Sequence, residues 1–187
     1  VFGSAQKWQF PKTGRHLLSY PAKKPGLHLT STMAQGLNIV LVSPEIPPNT
    51  GNVGRLCVAT RSRLHLVGPL GFDISNAQVK RAGLDYWQYL DLIQYENLTD
   101  FWEQLPEHVP LAFLSKKAQR PLFEHSFQPG SFLIFGNETS GLPDELLEKN
   151  EERSFRIPMS DDRVRSLNLS TAVGIAVYEA IRQLEYP

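Results

Sequence analysis

Six short apolar segments are distributed along the chain, and their spacing limits the folds that it can adopt. They are LNIVLVS (37–43), RLHLVG (63–68), LDLIQY (90–95), PLAFLS (110–115), SFLIFG (131–136) and SFRIPM (154–159). Apolar runs of this length, bounded by glycine, proline or polar residues, are typical of strands that are buried on both faces. Because helix-like segments separate them, we expect an α/β domain with an open, mostly parallel sheet and helices on both faces.

Five helix-like segments connect these strands and complete the chain. They are VGRLCVATRS (53–62), NAQVKRAGL (76–84), LTDFWEQL (98–105), PDELLEKN (143–150) and a C-terminal segment over 169–184. We expect Asn97 or Thr99 to cap the third helix and Pro143 to occupy the first position of the fourth. The segment PEIPPNTGN (44–52) is predicted to be a loop. In the C-terminal segment, apolar residues recur at helical spacing, which predicts a helix with a buried stripe.

The composition is that of one globular domain. The chain has 187 residues, of which 41% are hydrophobic and 20% charged. Its one cysteine, Cys57, excludes an internal disulfide and fits a reducing compartment. No apolar run reaches the roughly 18 residues that a membrane-spanning helix needs. We therefore expect a cytoplasmic protein that does not enter a membrane.

Charge is distributed unevenly along the chain. Residues 1–37 contain five Lys or Arg and no Asp or Glu, so the remaining 150 residues carry a formal net charge of −5. We expect residues 1–36 to be a basic, poorly ordered extension and residues 37–187 to be the folded domain. Translated sequence upstream of a start at Met33 is an equally favoured interpretation. An organellar targeting segment and an RNA-binding arm are less favoured alternatives.

Three polar loops follow predicted strands, the position at which open parallel sheets bind ligands. PPNTGNVGR (47–55) ends at Arg55, FGNETSGLP (135–143) places Glu138 between two glycines, and IPMSDDRVRSLNLS (157–170) leads into the last helix. Asn and Ser side chains often cap helix N-termini, so each loop alone has a structural explanation. Together, at the ends of three strands, the loops favour a ligand site.

Several other kinds of site lack support in the sequence. It contains no G-x-G-x-x-G after a strand, no phosphate-binding G-x-x-x-x-G-K-[ST] loop and no G-x-S-x-G elbow. The five histidines form no metal-ligand spacing with one another or with Cys57, so no metal site is predicted. His65 is interpreted as a structural strand residue, and Cys57 as a buried helical residue. We expect Tyr86, Trp87 and Tyr89 to pack rather than to stack on a ligand.

Three motifs, NTGNVGR, FGNETSGLP and IPM…RSLNLSTAVGIAVYEA, occur in an order that resembles the SPOUT-superfamily RNA 2′-O-methyltransferases. The resemblance extends from about Leu37 to the C-terminus. The opening LNIVLVSPEIPPNTGN and the segment RAGLDYW (81–87) are most similar to the minimal, TrmL-type group, which methylates the wobble nucleotide of tRNA. The resemblance implies S-adenosylmethionine as methyl donor, a deep C-terminal trefoil knot (the SPOUT or α/β-knot fold) and a homodimer.

The resemblance also implies roles for individual residues. The positions that match cofactor-binding residues are Leu114, Gly136, Ile157 and Ser166, with Met159 and Leu167 as additional contacts. The positions that match catalytic and supporting polar residues are Arg55, Asn49, Glu138 and Asn168. Ser166, Asn168 and Ser170 form a polar cluster at the start of the last predicted helix. Arg163 and Arg165 flank this cluster and are expected to contact the substrate RNA. Because a guanidinium resists deprotonation, we expect Arg55 to clamp an RNA phosphate, with a general-base role as the alternative.

The implied reaction is S-adenosylmethionine-dependent 2′-O-methylation of the ribose at position 34 of tRNA, a cytidine or a modified uridine, with leucine tRNAs as favoured substrates. The ribose hydroxyl must approach the methyl group in line and lose its proton, so positioning is the main task of the site. Two alternatives stay open. One is a 2′-O-methyltransferase for another tRNA position or for ribosomal RNA, and the other is a catalytically silent RNA-binding protein of the same fold.

Overall fold

The structure is a computed structural model that describes residues 36–74 and 86–186. Its strands are β1 (Asn38–Val42), β2 (Arg63–Val67), β3 (Leu92–Tyr95), β4 (Leu111–Leu114), β5 (Arg120–Pro121), β6 (Phe132–Phe135) and β7 (Ser154–Arg156). Its α-helices in these ranges are α1 (Pro47–Thr60), α2 (Leu98–Gln104), α3 (Asp144–Glu148) and α4 (Leu169–Glu185). The predicted helix at 76–84 and residues 1–35 of the basic extension lie outside the described residues.

The strands form one seven-stranded sheet in the order β3-β2-β1-β6-β4-β7-β5. Every pairing between these strands is parallel, so the described sheet is parallel throughout rather than mostly parallel. All six predicted strands are confirmed, and β5 is an additional two-residue strand. Because parallel strands end on the same side, their C-terminal ends form one rim of the sheet, which we call the carboxyl edge.

Helices cover both faces of the sheet, as the apolar strands predict. On the first face, Ile39 and Leu41 of β1 pack in one cluster with apolar residues of α1 and α4. On the second face, Val40 and Val42 pack in another cluster with Phe101 of α2 and apolar residues of α3. The alternation follows from the two-residue repeat of a strand, and each fully buried side chain of this size contributes roughly 1.5–3 kcal/mol.

Helix α1 corrects the prediction of a loop over 44–52, because the helix begins at Pro47. Proline is favoured in the first helical turn, where its fixed φ suits the helix and its missing N–H leaves no bond unmade. The backbone N–H groups of Asn49 and Thr50 donate to the carbonyl of Ile46 at 3.0 and 3.4 Å. Asn49 therefore lies on a regular helical turn, which fixes the direction of its side chain.

The other helix termini agree with the expected capping chemistry, with small shifts. Asn97 rather than Thr99 caps α2, since its side chain accepts the backbone N–H of Asp100 at 3.0 Å. Pro143 lies at the N-cap of α3, one residue before the predicted position. Helix α4 buries most of its predicted stripe at Leu169, Val173, Ala176, Val177 and Ala180. In the described part of the chain, no helix combines the length and apolarity that crossing a membrane requires.

Candidate active site

The three polar loops singled out in the sequence lie at the carboxyl edge. The first follows β1 and forms the start of α1, the second follows β6, and the third connects β7 to α4. Strands β1 and β6 are neighbours, and β4 separates β6 from β7. Segments that are 80 to 120 residues apart in sequence therefore meet over four adjacent strands.

Three polar side chains join these loops in a continuous hydrogen-bonded chain. The Asn49 side-chain amide donates to Glu138 Oε1 at 2.8 Å. The Asn168 side-chain amide in turn donates to Asn49 Oδ1 at 2.9 Å. Asn49 is only 5% exposed, so both of its side-chain bonds are protected from water. We call this chain of Glu138, Asn49 and Asn168 the loop-joining network.

Glu138 anchors the N-terminus of α1. Its Oε2 accepts the backbone N–H of Glu45 at 2.8 Å, and its Oε1 accepts that of Ile46 at 3.2 Å. A carboxylate at this position satisfies N–H groups before the first turn and interacts favourably with the helix dipole. Both carboxylate oxygens accept hydrogen bonds from this segment, so Glu138 supports the N-terminus of α1.

Asn168 caps the N-terminus of α4. Its Oδ1 accepts the backbone N–H groups of Ser170 and Thr171 at 2.9 and 3.3 Å, and the Ser170 hydroxyl donates to it at 2.7 Å. These donors identify Oδ1 as the acceptor and direct the amide NH₂ towards Asn49. The polar residues at the start of the last helix thus cap that helix and connect it to α1.

Arg55 extends from the helix that this network anchors. Its side chain is exposed, and its guanidinium carbon lies 4.9 Å from the ring centroid of Tyr86. Tyr86 is half-buried, and its hydroxyl donates to the Gly51 carbonyl at 3.0 Å. Tyr86 therefore packs on α1 as predicted, whereas Tyr89 is 56% exposed and its predicted packing is wrong.

Three of the predicted cofactor-binding residues lie side by side at the carboxyl edge. Leu114 is the last residue of β4, and Gly136 and Ile157 directly follow β6 and β7. Leu114 is registered with the last residue of β6 and with the second residue of β7. Leu114 is 8% exposed and Ile157 is half-buried, so both contribute to an apolar surface of the first face.

Gly136 allows the loop after β6 to fold back on itself. A Cβ atom at this position would lie 1.9 Å from the carbonyl carbon of Gly141, so no larger residue fits. Gly141 adopts a φ of 75°, which favours glycine, and Asn137 Oδ1 accepts its N–H at 3.1 Å. The backbone at Gly136 lies beside Leu114, because the preceding residue, Phe135, is registered with Leu114. Apolar contacts beside backbone donors and acceptors fit the adenosine group of S-adenosylmethionine.

The remaining predicted cofactor contacts lie on the connection from β7 to α4. Met159 is 39% exposed, Ser166 is exposed and Leu167 is half-buried. The N-terminal end of this connection is fixed by β7, and its C-terminal end by the bond between Asn168 and Asn49. These side chains therefore border the carboxyl edge and stay accessible to a ligand.

The two arginines of this connection differ in their surroundings. The Arg163 Nε donates to both carboxylate oxygens of Asp161 at 3.0 Å. This pairing lowers the pKa of Asp161 and raises that of Arg163, while both groups remain exposed to solvent. Arg165 has no ion-pair partner in the described ranges. The sequence predicted two available cations, and the structure pairs one of them with a neighbouring carboxylate.

His65 and Cys57 are structural residues, as interpreted from the sequence. The His65 ring is 3% exposed, with Nδ1 at 2.9 Å from the Tyr95 hydroxyl and Nε2 at 3.1 Å from Asn38 Oδ1. Burial, with a smaller effect of the Arg63 charge, lowers the pKa of His65 to about 3. Burial also raises the pKa of the Cys57 thiol. Among residues 36–74 and 86–186, no three His, Cys, Asp or Glu side chains are placed to hold a metal.

A cavity of about 330 Å³ adjoins the loop after β6 on its other side. It is lined by Val42, Ser43, Lys117, Asn137, Ser140, Gly141, Leu142, Pro143 and Asp144. Val42 and Leu142 belong to the second-face cluster, whereas Leu114 and Ile157 belong to the first face. The cavity is therefore distinct from the surface formed by the predicted cofactor-binding residues.

Comparisons with known proteins agree with this geometry. The model of the SpoU rRNA Methylase family matches residues 36–178. A Burkholderia cenocepacia protein named tRNA (cytidine(34)-2′-O)-methyltransferase is 46% identical over 149 residues, which are 78% of this chain and 94% of that protein. The family match over residues 36–178 includes the three loops of the candidate site.

Two solved structures are similar over most of the described chain. One, described as giving structural insights into the 2-OH methylation of C/U34 on tRNA, has a TM-score of 0.78 and 44% identity, covering 82% of this chain and 99% of that one. The other is an AdoMet-bound rRNA methyltransferase from Sinorhizobium meliloti, with a TM-score of 0.71 and 28% identity. It covers 80% of this chain and 57% of that one.

Proposed function

Since the chain belongs to the SpoU rRNA methylase family, we propose that it transfers a methyl group from S-adenosylmethionine to the ribose 2′-oxygen of nucleotide 34 in tRNA. The observation that carries this proposal is the assembly at the carboxyl edge. There, Leu114, Gly136 and Ile157 lie side by side, where they would form a cofactor surface, and the loop-joining network fixes the helix that bears Arg55. The choice of nucleotide is supported by the name of the Burkholderia cenocepacia relative and the description of the structure with a TM-score of 0.78.

The cofactor surface explains which residues would hold S-adenosylmethionine. Leu114 and Ile157 pack on the adenine, and the backbone around Gly136 forms hydrogen bonds to its polar edge. Ser166, Met159 and Leu167 complete the surface from the connection to α4. When bound, the cofactor supplies a methyl group on a positively charged sulfur, which is already activated for transfer.

Arg55 positions the RNA for that transfer. Its planar guanidinium makes two parallel bonds to a phosphate beside the target ribose and so fixes the 2′-hydroxyl. Correct placement alone can contribute several kcal/mol to the lowering of the barrier, and a misplacement of about 1 Å can cost about 100-fold in rate. If the fork-shaped contact is the essential one, Arg55→Lys keeps the charge and still loses most of the activity. Near-full activity in that variant would instead contradict the bidentate role.

Arg165 and Arg163 contact the RNA backbone beside this site. Arg165 is exposed and available for a phosphate, and an RNA phosphate replaces Asp161 as the partner of Arg163. Surface ion pairs are weak because water and salt screen them, so this exchange is easily made. The substrate is a tRNA, with leucine tRNAs favoured, and the reaction takes place in the cytoplasm.

We also propose that residues 37–187 form a knotted, homodimeric methyltransferase domain. The knot is supported by the strand order, in which β7 lies between β4 and β5, two strands that precede it in the chain, and by contacts of the segment before β6 with the C-terminal helix. Gln183 of α4 accepts the backbone N–H of Phe127 at 3.0 Å and donates to the His125 carbonyl at 2.9 Å. The homodimer is supported by the outer side of α4, where Gly174 has open space around it and Tyr178 is 59% exposed.

A methyl-transfer assay with labelled S-adenosylmethionine and total tRNA tests the proposed reaction and substrate together. We expect label on the ribose of nucleotide 34, located by nuclease digestion and mass spectrometry, and its loss in Arg55→Ala. Label at another tRNA position, or on ribosomal RNA in a parallel reaction, would overturn the substrate. Cofactor binding without label on any RNA would overturn the reaction and favour a silent RNA-binding protein.

A further inference from the structure

The segment RAGLDYW ends in two aromatic residues that contact α1 beside Arg55. The Arg55 guanidinium carbon is 4.9 Å from the Tyr86 ring centroid, within the roughly 6 Å over which a cation–π contact is effective. The Tyr86 hydroxyl donates to the Gly51 carbonyl at 3.0 Å. Gly51 is four residues before Arg55, so the ring is bonded to the turn of α1 from which the arginine extends.

Gly54 lets this aromatic segment approach the helix. A Cβ atom at Gly54 would lie 3.0 Å from Cζ3 of Trp87 and 3.3 Å from Cδ2 of Leu90. Glycine in a helix interior is destabilising relative to alanine, so its presence here needs a structural reason. Here the glycine leaves room for Trp87, which follows Tyr86 directly and holds it against α1. The ring under Arg55 is therefore fixed by its hydroxyl and by its neighbour.

We propose that Tyr86 is a positioning residue for methyl transfer, holding the Arg55 guanidinium in the orientation that receives the RNA phosphate. This inference rests on the proposed function, because Tyr86 acts through Arg55. An exposed arginine loses rotamer entropy when it is fixed. A ring against the guanidinium face removes part of that loss before the RNA arrives, and the planar N–H groups keep the geometry that two parallel bonds to a phosphate need.

Tyr86→Leu and Tyr86→Phe separate the ring from the hydroxyl. We expect Tyr86→Leu to lower kcat about tenfold, which corresponds to about 1.4 kcal/mol, with little change in the Kd for S-adenosylmethionine. Tyr86→Phe keeps the ring and is expected to retain kcat within about threefold. The matched control is Tyr89→Leu, at an exposed tyrosine of the short 3₁₀ helix Trp87–Tyr89 that directly follows Tyr86, and it is expected to retain wild-type kcat.

A double-mutant cycle shows whether Tyr86 acts through Arg55. In an Arg55→Ala background, Tyr86→Leu is expected to cause no further loss of kcat. An independent tenfold loss in that background would overturn the proposal, as would unchanged kcat in Tyr86→Leu alone. Thermal unfolding of each variant shows whether it has a general folding defect. If Tyr86→Leu has one, Tyr86→Phe and the double-mutant cycle still test whether Tyr86 acts through Arg55.

An NMR measurement tests the same contact without any activity. The Arg55 Hε proton, assigned by its loss in Arg55→Lys, is expected to be shifted upfield by the Tyr86 ring current in the wild-type protein. The shift should persist in Tyr86→Phe and disappear in Tyr86→Leu. An Hε signal at its ordinary position in the wild type would overturn the positioning role. Absence of methyl transfer in the wild type, with the upfield shift present, would overturn the proposed function and leave the contact intact.

Discussion

Two polar clusters lie on this sheet, and they differ in what surrounds them. On the second face, His65 is enclosed between Tyr95 and Asn38 and packs against the rings of Phe101 and Phe132. At the carboxyl edge, the loop-joining network has a buried centre at Asn49, and its helices carry exposed polar groups around it. The first cluster is closed on every side, whereas the second supports groups that a ligand can reach.

The difference shows why a perturbed pKa alone does not identify a catalytic residue. His65 has the lowered pKa of a buried imidazole, yet both of its nitrogens face structural partners. Arg55 is placed by a fixed helix and by a tyrosine ring, in the open part of the molecule. A catalytic site requires side chains that a ligand can reach and rigid elements that hold them in place. The carboxyl edge has accessible side chains, and its helices are fixed by hydrogen bonds.

Replacing Arg55 by alanine is expected to give the largest effect on activity. The variant loses the phosphate clamp, so kcat should fall by about 100-fold or more. Its thermal unfolding midpoint should fall only slightly, because an exposed cation–π contact such as that with Tyr86 contributes roughly 0.5–1 kcal/mol. Arg153→Ala is the matched control, since Arg153 is an exposed arginine that bonds Asn150 at the start of β7. Equal activities of Arg55→Ala and Arg153→Ala would show that an arginine at the carboxyl edge contributes no more to activity than one elsewhere on the surface.

Removing the centre of the loop-joining network should affect both stability and activity. Asn49→Ala leaves Glu138 and Asn168 without a shared partner, so we expect the free energy of unfolding to fall by about 1–3 kcal/mol. We also expect kcat to fall about tenfold as α1 loses its support. Urea unfolding and steady-state kinetics measure the two changes. Asn52→Ala, at an exposed asparagine of the same helix, should leave both unchanged.

His65 should affect stability in a pH-dependent way and leave the reaction unchanged. Its pKa is about 3 in the folded protein and near 6.5 in the unfolded chain, so only the unfolded chain takes up the proton between these values. The stabilisation is complete above pH 6.5 and is lost as the pH falls towards 3.

Urea unfolding of the wild type and His65→Gln tests this pH dependence. Between pH 7.5 and pH 5.5, the wild type should lose about 1.4 kcal/mol more unfolding free energy than the variant. Other histidines are present in both proteins and cancel in the comparison. Parallel pH dependences would mean that His65 titrates alike in the folded and unfolded states.

Releasing Arg163 from its neighbour is the smallest expected effect. Asp161→Asn removes the competing carboxylate, so we expect the KM for tRNA to fall about two- to threefold with kcat unchanged, and the gain to shrink as salt increases. Asp162→Asn makes the same change of charge one residue away. If both variants lower the KM equally, net charge rather than the pairing of Arg163 with Asp161 is responsible.

The strands, and the position of the three polar loops at strand ends, were predictable from the sequence because they depend on local patterns. Each strand is a short apolar run, and Arg55, Glu138 and Asn168 stand in recognisable loops after such runs. The start of α1 was missed because Pro47 and the Asn-Thr-Gly-Asn sequence after it resemble a turn. Proline in the first turn is compatible with both structures, and the long-range bonds of Glu138 select the helix.

The contacts between the loops could not be predicted, because they depend on which strands lie next to each other. Asn49 bonds residues 89 and 119 positions away, and only the order of β1, β6, β4 and β7 brings these together. The pairing of Arg163 with Asp161 is local, and its i, i+2 spacing could have revealed it. The Tyr86 contact had a partial signal, since Tyr86 was expected to pack, but the sequence did not indicate that it packs on α1 against Arg55.

Single-turnover methyl transfer to nucleotide 34, measured side by side for Arg55→Ala and His65→Gln at pH 7.5, tests the central claim most directly. We expect the rate constant of Arg55→Ala to fall by about 100-fold or more and that of His65→Gln to stay within about twofold of wild type. A fast Arg55→Ala enzyme beside a slow, fully folded His65→Gln enzyme would contradict the assignment of the reaction to the carboxyl edge.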